Sequence, residues 1–141
     1  MLFGDVLEHL ADPSDALARV RPWLTPRGVV VASVPNAGHW SVLDDLLRGR
    51  FDYVPYSILS GTHLRLFTRA TLEDLFESTG YEVVRIDVVT PPRSPEGAVR
   101  LSRLAAFRGA SPDLEVAEFI AVARAPRGAA ATESLGYHRH E

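Results

Sequence analysis

Asp5, Glu8 and His9, within the opening stretch Met1-Leu-Phe-Gly-Asp-Val-Leu-Glu-His-Leu10, are the first residues whose types and spacing suit chemistry. They stand at i, i+3 and i+4, which places side chains on one face if the stretch is helical. Two carboxylates and an imidazole so placed suit a divalent cation or acid and base work, and the spacing allows either. The same pattern also describes a helix turn whose carboxylates favour the dipole and whose histidine does nothing further.

The elements that would position these residues belong to a single domain. A chain of 141 residues, 46% hydrophobic and 23% charged, is long enough for one core. With 15 basic against 18 acidic side chains the net charge is -3, too near neutral for a broad electrostatic footprint on nucleic acid, which is disfavoured as a partner. The basic residues counted are all arginine, and the absence of cysteine excludes disulfides, thiolate metal sites and cysteine nucleophiles. No apolar run approaches the roughly 20 residues of a membrane span, and no basic segment precedes an apolar one. A soluble cytoplasmic protein without a membrane partner is expected.

Met1 to Phe3 read as the end of a buried strand. Asp12-Pro13 then starts a helix, with Asp12 as cap and Pro13 at the first helical position. Leu17, Val20 and Leu24 form its buried stripe, and Thr25-Pro26-Arg27-Gly28 stops it. Val29 to Val34 is a continuous apolar run, the pattern of a strand covered on both faces. Strand, helix and strand make a parallel crossover, so the fold class is α/β with a parallel sheet. Residues 35–67 lose periodicity and carry Asn36, His39, Trp40, Phe51, Tyr53, Tyr56 and His63. They begin at the carboxyl end of a strand, where open α/β sheets bind ligands, and read either as an acceptor-facing insertion or as a surface excursion packed on the sheet edge.

A helix follows from Thr68, with Leu72, Leu75, Phe76 and Thr79 on one face and Gly80 as its stop. Tyr81 to Val89 and Glu115 to Ala123 are strand-like, joined by a long arm from Pro91 to Pro112 with a helical turn near Val99 to Phe107. Residues 126–141 read as a disordered tail, and His138 and His140 within it as solvated.

The blocks Asp5-Val-Leu-Glu-His-Leu-Ala-Asp-Pro13, Leu24-Thr-Pro-Arg-Gly28, Val34-Pro-Asn36, Thr62-His-Leu-Arg-Leu-Phe-Thr68 and Gly80-Tyr81 occur in an order that resembles the class I S-adenosylmethionine-dependent methyltransferases. The resemblance spans residues 1–125 and is to the carboxyl-terminal half of that family's domain. It implies a partial Rossmann-like methyltransferase sheet, strands 4 to 7 of seven with the last antiparallel, the N-terminal half missing and the chain truncated. The family grips its cofactor with a Gly-x-Gly loop and an acidic residue in that first half, and none of the ten glycines here forms a Gly-x-Gly. What the resemblance leaves for S-adenosylmethionine is the edge of a methionine site at Phe3, Gly4 and Asp5.

Asp5-x-x-Glu8-His9 with a distant Thr62-His63 is similar to ubiquinone-pathway O-methyltransferases and small-RNA terminal 2′-O-methyltransferases. In those relatives two carboxylates and two histidines can bind a divalent cation; their first carboxylate is a glutamate, where Asp5 stands here. By that likeness Asp5, Glu8, His9 and His63 would hold magnesium, manganese or zinc, with His9 and His63 catalytic through the metal or as general base. The expected activity is O-methylation of a small-molecule, sugar or lipid-linked hydroxyl, the acceptor meeting Asn36, His39, Trp40 and Arg65. A different class of function is a non-catalytic remnant or interaction module that self-associates, or pairs with a complementing chain, through the sheet edge at residues 1–6.

Overall fold

The computed structural model describes residues 1–126, so the segment from 127 onward, with His138 and His140, lies outside the described residues. In chain order the elements are β1 (Leu2–Gly4), a 3-10 turn (Leu7–His9), α1 (Pro13–Val20), a second 3-10 turn (Arg21–Trp23), β2 (Val29–Pro35), α2 (Trp40–Leu47), α3 (Arg69–Ser78), β3 (Glu82–Val89), α4 (Pro95–Ala105) and β4 (Glu118–Arg124). They form an α/β fold around a four-stranded mixed sheet of order β1-β2-β4-β3. β1 runs parallel to β2, pairing Leu2 with Val31 and Gly4 with Ser33, while β4 runs antiparallel to both β2 and β3.

α1 begins where its signals lie, with the Asp12 carboxylate accepting from the Asp15 amide at 2.9 Å. It ends at Val20, earlier than the Leu17, Val20, Leu24 stripe suggests. Pro22 has no N–H to offer the carbonyl one turn back, so the chain tightens into the second 3-10 turn and Leu24 joins the core from beyond the helix. At the other α-helical end of the core, Thr68 and Thr71 cap α3 reciprocally, and Gly80 leaves it at φ 79°.

Val30, Ala32 and Val34 on β2 stand opposite Ala123, Ala121 and Phe119 on β4 and make one fully buried sheet face. Leu17, Leu72 and Phe76 from α1 and α3 lie in the same core, and small alanines facing each other at Ala32 and Ala121 leave room for the aromatic rings. Tyr81 packs edge-on to Phe76 at 5.9 Å and donates its hydroxyl to the Leu17 carbonyl at 2.8 Å, tying the start of β3 to α1. The opposite sheet face departs from the expectation of a strand covered on both sides. Val31, Ser33, Ile120 and Val122 are half-buried and Val29 is exposed, so an apolar run that reads as doubly covered is fully covered on one side only.

Two helices lie where irregular chain is expected. α2 sits inside residues 35–67, and α4 replaces the brief turn expected near Val99 to Phe107, starting at Pro95 behind the cap Ser94. They are bound to each other: Asp44 receives Arg48 along α2 and Arg100 from α4, and the indole of Trp40 lies 3.1 Å from where a Cβ on Gly97 would stand. β4 begins at Glu118 rather than near Glu115, since residues 113–117 close onto β2 through the bond from the Asn36 amide to the Ala117 carbonyl.

Candidate functional site

β1 ends at Gly4, and Asp5 turns the chain sharply with a φ of 50°, an uncommon conformation for a residue with a side chain. Ser33, next to Gly4 across the sheet, holds the turn: its oxygen accepts from the Asp5 amide at 3.0 Å and its hydroxyl donates to Asp5 Oδ1 at 2.9 Å. The following 3-10 turn drives Leu7 into the core and buries Glu8 beside it. Because this is a single tight turn, Asp5, Glu8 and His9 do not share one helical face.

The backbone of Glu8 carries the long-range contact. Its carbonyl accepts from the amides of Leu64, at 2.7 Å, and Arg65, at 3.0 Å, which docks the Thr62 to Phe67 strip against the turn and brings His63 to His9. The imidazole rings meet edge to face with centroids 4.8 Å apart. His9 Nδ1 donates to the Thr62 carbonyl at 3.0 Å and His63 Nδ1 to the Ile58 carbonyl at 2.8 Å. A carbonyl has no proton to give, so Nδ1 carries one in both rings, and Nε2 is the nitrogen left to offer a lone pair.

Glu8 is 1% exposed, and neither carboxylate oxygen has a hydrogen-bond partner. Burial pushes its pKa above the ordinary carboxylate value, and the charge of Asp5 pushes the same way. Its own backbone amide, which lacks the geometry of a hydrogen bond to it, and the two histidines offset part of this. His9 Nε2 lies 3.9 Å from Glu8 Oε1, and one ligand atom from each of Glu8, His9 and His63 falls within 4.8 Å of the others. These three border an open cleft of about 780 Å³ together with Asp5, Tyr56 and Thr62. A buried acceptor-only group beside two oriented imidazole lone pairs suits a cation, and the second ring nitrogens already have the carbonyl partners that metal-bound histidines use.

Of the residues singled out in the sequence, the structure thus brings Glu8, His9 and His63 together. Asp5 lines the same cleft but is not a fourth member of the cluster, its carboxylate being engaged by Ser33. Phe3 packs against the core, while a Cβ on Gly4 would meet nothing within 4 Å, so Gly4 and Asp5 face open space at the carboxyl end of β1.

The four residues expected to meet an acceptor stand away from this cleft. Asn36 is buried, its amide donating to the carbonyls of Asp113 and Val116 and its oxygen accepting from the Gly38 amide. His39 caps α2 by accepting from the Ser41 amide, Trp40 packs on α4, and Arg65 donates to the carbonyls of Ala11 and Leu64. What the sequence reading missed are Ser60, buried under the cleft, and the carbonyls of Ile58 and Thr62. Backbone acceptors leave no trace in residue types, and Ser60-Gly61 reads as any turn.

Burial holds the pKa of His39 below its ordinary value. The shift comes from desolvation of the charged imidazolium, which would also lose the Nδ1 lone pair that caps α2. The sign follows from linkage. The native state binds the proton less tightly than the unfolded chain does, so stability is lost as pH falls from the ordinary value of 6.5 through the lowered one. Replacing His39 with asparagine, a good cap without a titrating ring, should flatten the melting temperature across that window. Melting curves from pH 7.5 down to about 5 check this, and an unchanged slope in the variant would contradict it.

The sequence profile of the family described as "Methyltransferase domain" matches residues 1–86, more than half of the chain. No curated protein matches it significantly. Among solved structures the chain is similar to the small RNA methyltransferase HEN1, at a TM-score of 0.54 and 18% identity, covering 88% of this chain and 13% of that one. It is also similar to a DUF574-family protein from Streptomyces avermitilis (TM-score 0.49, 19% identity, covering 89% of this chain and 43% of that one). A putative methyltransferase from Bacillus halodurans gives 0.47 at 12% identity, covering 86% of this chain and 64% of that one. The first of these likenesses shows that the four-stranded mixed sheet resembles part of a Rossmann-like methyltransferase fold. The chain spans 13%, 43% and 64% of the three proteins it resembles.

Proposed function

The chain belongs to the methyltransferase-domain family, and from that premise we propose that it serves methyl transfer from S-adenosylmethionine to a hydroxyl of a small molecule, sugar or lipid-linked glycan. Family membership implies the donor. In this reading β1, β2, β4 and β3 correspond to strands 4, 5, 7 and 6 of the family's seven, residues 1–125 form the carboxyl-terminal part of such a domain, and residues 35–67 face the acceptor. β1 is an outer strand of the described sheet with Leu2 exposed, an edge at which self-association or a complementing chain would pair.

The observation that carries the reading is Glu8, a buried carboxylate with both oxygens unpartnered beside two imidazoles. Such a group is costly to bury unless an opposite charge offsets it. Glu8, His9 and His63 would hold a divalent cation, and two imidazoles with one carboxylate suit zinc or manganese better than magnesium, which prefers oxygen ligands. When bound, the ion supplies Lewis acidity that makes an acceptor hydroxyl a better nucleophile. The rest falls to the protein. Glu8 supplies the charge, the carbonyls of Ile58 and Thr62 hold the rings in one orientation, and the open cleft that the three residues border lets the hydroxyl proton leave to solvent. Gly4 and Asp5 leave open space at the carboxyl end of β1 for the edge of the donor, and in-line approach of hydroxyl to methyl makes orientation the larger part of catalysis.

Methyl-labelled donor at high concentration, incubated with the purified chain and matched hydroxyl, amine and thiol acceptors, tests the reading. Transfer to the hydroxyl series that disappears with a chelator is expected. Transfer that ignores the chelator, or goes only to nitrogen or sulfur, would contradict it.

A further inference from the structure

We propose that Ser60 is the positioning residue that sets the tautomer of both His9 and His63, through the single loop that supplies their acceptors. The inference deepens the cation-site reading and rests on it for its purpose, though not for its tautomer test. Residues 54–63 form a closed loop: the Val54 amide donates to the Leu59 carbonyl at 3.0 Å, and the Gly61 amide to the Val54 carbonyl at 3.3 Å. Two carbonyls of this loop, Ile58 and Thr62, take the Nδ1 protons of His63 and His9. Both rings are therefore oriented by one short piece of chain, although His9 comes from the turn after β1.

Ser60 is 5% exposed and sits at the centre of that piece. Its hydroxyl donates to the Pro55 carbonyl at 3.3 Å and accepts from the Thr62 amide at 3.4 Å. It also meets Thr62 Oγ1 at 3.0 Å. A serine hydroxyl has one proton and two acceptor positions, so with its proton on Pro55 the Thr62 hydroxyl must donate to it, and all of its bonding capacity is used inside the loop. The Ser60 carbonyl adds a bond from the His63 amide at 3.0 Å. One side chain thus joins the start of the loop, at Pro55, to its end, at Thr62, and the carbonyls that fix both imidazoles lie between and at that end. Without the hydroxyl the loop ends separate, the carbonyl acceptors move, and neither ring is held with Nε2 free.

The test reads tautomers directly by nitrogen-15 NMR of the imidazoles, alongside zinc affinity by calorimetry. In the wild-type chain both rings are expected as the Nδ1–H tautomer. Ser60→Ala should give mixed tautomers at both rings and about tenfold weaker zinc binding, the scale of losing a partner that orients a metal ligand. Thr62→Val should shift both readouts the same way, whereas Thr62→Ser, which keeps the hydroxyl, should match the wild type; this pair decides the matter if Ser60→Ala does not fold. Nε2–H tautomers in the wild type, or variants lacking the hydroxyl that leave the tautomers unchanged, would overturn the inference. A wild-type chain with Nδ1–H rings that binds no zinc would sink the cation reading and leave the role of Ser60 standing.

Discussion

Replacing Glu8 with glutamine should weaken cation binding by about 100-fold or more, close to 2.7 kcal/mol, while raising the melting temperature of the metal-free chain. The two effects have one cause. The carboxylate is buried with neither oxygen hydrogen-bonded, so its charge is a burden to the fold until a cation neutralises it. Glutamine keeps the shape and removes the charge, which relieves the burden and deletes the only anionic ligand of the cluster. The pH dependence should follow from the raised pKa. Below the ordinary value of 4.5 the group is protonated in native and unfolded states alike, and above it ionisation is harder in the native state, so the metal-free wild type loses stability as pH rises through the raised value. Asp5 deepens this loss, and His9 and His63 lessen it. Melting curves against pH for both proteins, with and without zinc, read all of this. A variant that binds zinc as well as the wild type, or melts lower without it at neutral pH, would remove Glu8 from the site.

The 141-residue chain alone should bind S-adenosylmethionine no more tightly than about millimolar, some 4 kcal/mol of standard free energy. No Gly-x-Gly occurs in it to cradle the donor, and among the residues expected to touch the donor Phe3 is turned into the core. Gly4 and Asp5 remain, a narrow ledge at the end of β1. Calorimetry decides this, and a micromolar dissociation constant would mean that the chain holds a donor grip not recognised among its residues.

Much of the fold was legible where local signals and tertiary demands agree. Asp12-Pro13 and Thr68 to Gly80 carry their caps and stops in the sequence, and α1 and α3 begin there. α4 carried an equally local signal in Ser94-Pro95, a cap followed by proline at the first helical position, but the surrounding prolines and arginines hid it. α2 was obscured because its eight residues lie among glycines and aromatics that break the period on both sides. The apolar run of β2 pointed to cover on both faces, since residue type records what a surface suits and not what lies on it.

Glu8 and His9 stood out by type and spacing, but their union with His63 was legible only through the family resemblance. Glu8 and His63 are joined by backbone bonds from Leu64 and Arg65 to the Glu8 carbonyl, and neither residue type nor spacing reports such a bond. The same blindness runs the other way at Asn36, a polar residue at a strand end that invites a binding role. Its amide is instead committed to holding the chain around Asp113 and Val116. The helical spacing of Asp5, Glu8 and His9 suggested a shared face; the positive φ at Asp5 and the single 3-10 turn divided it.

Calorimetric titration of zinc and manganese into the purified, metal-free wild-type chain decides whether Glu8, His9 and His63 form a cation site. One ion per chain is expected, with the binding lost when His63 is replaced by alanine. No saturable binding of either ion at millimolar concentration, or binding that survives both His63→Ala and Glu8→Gln, would contradict it.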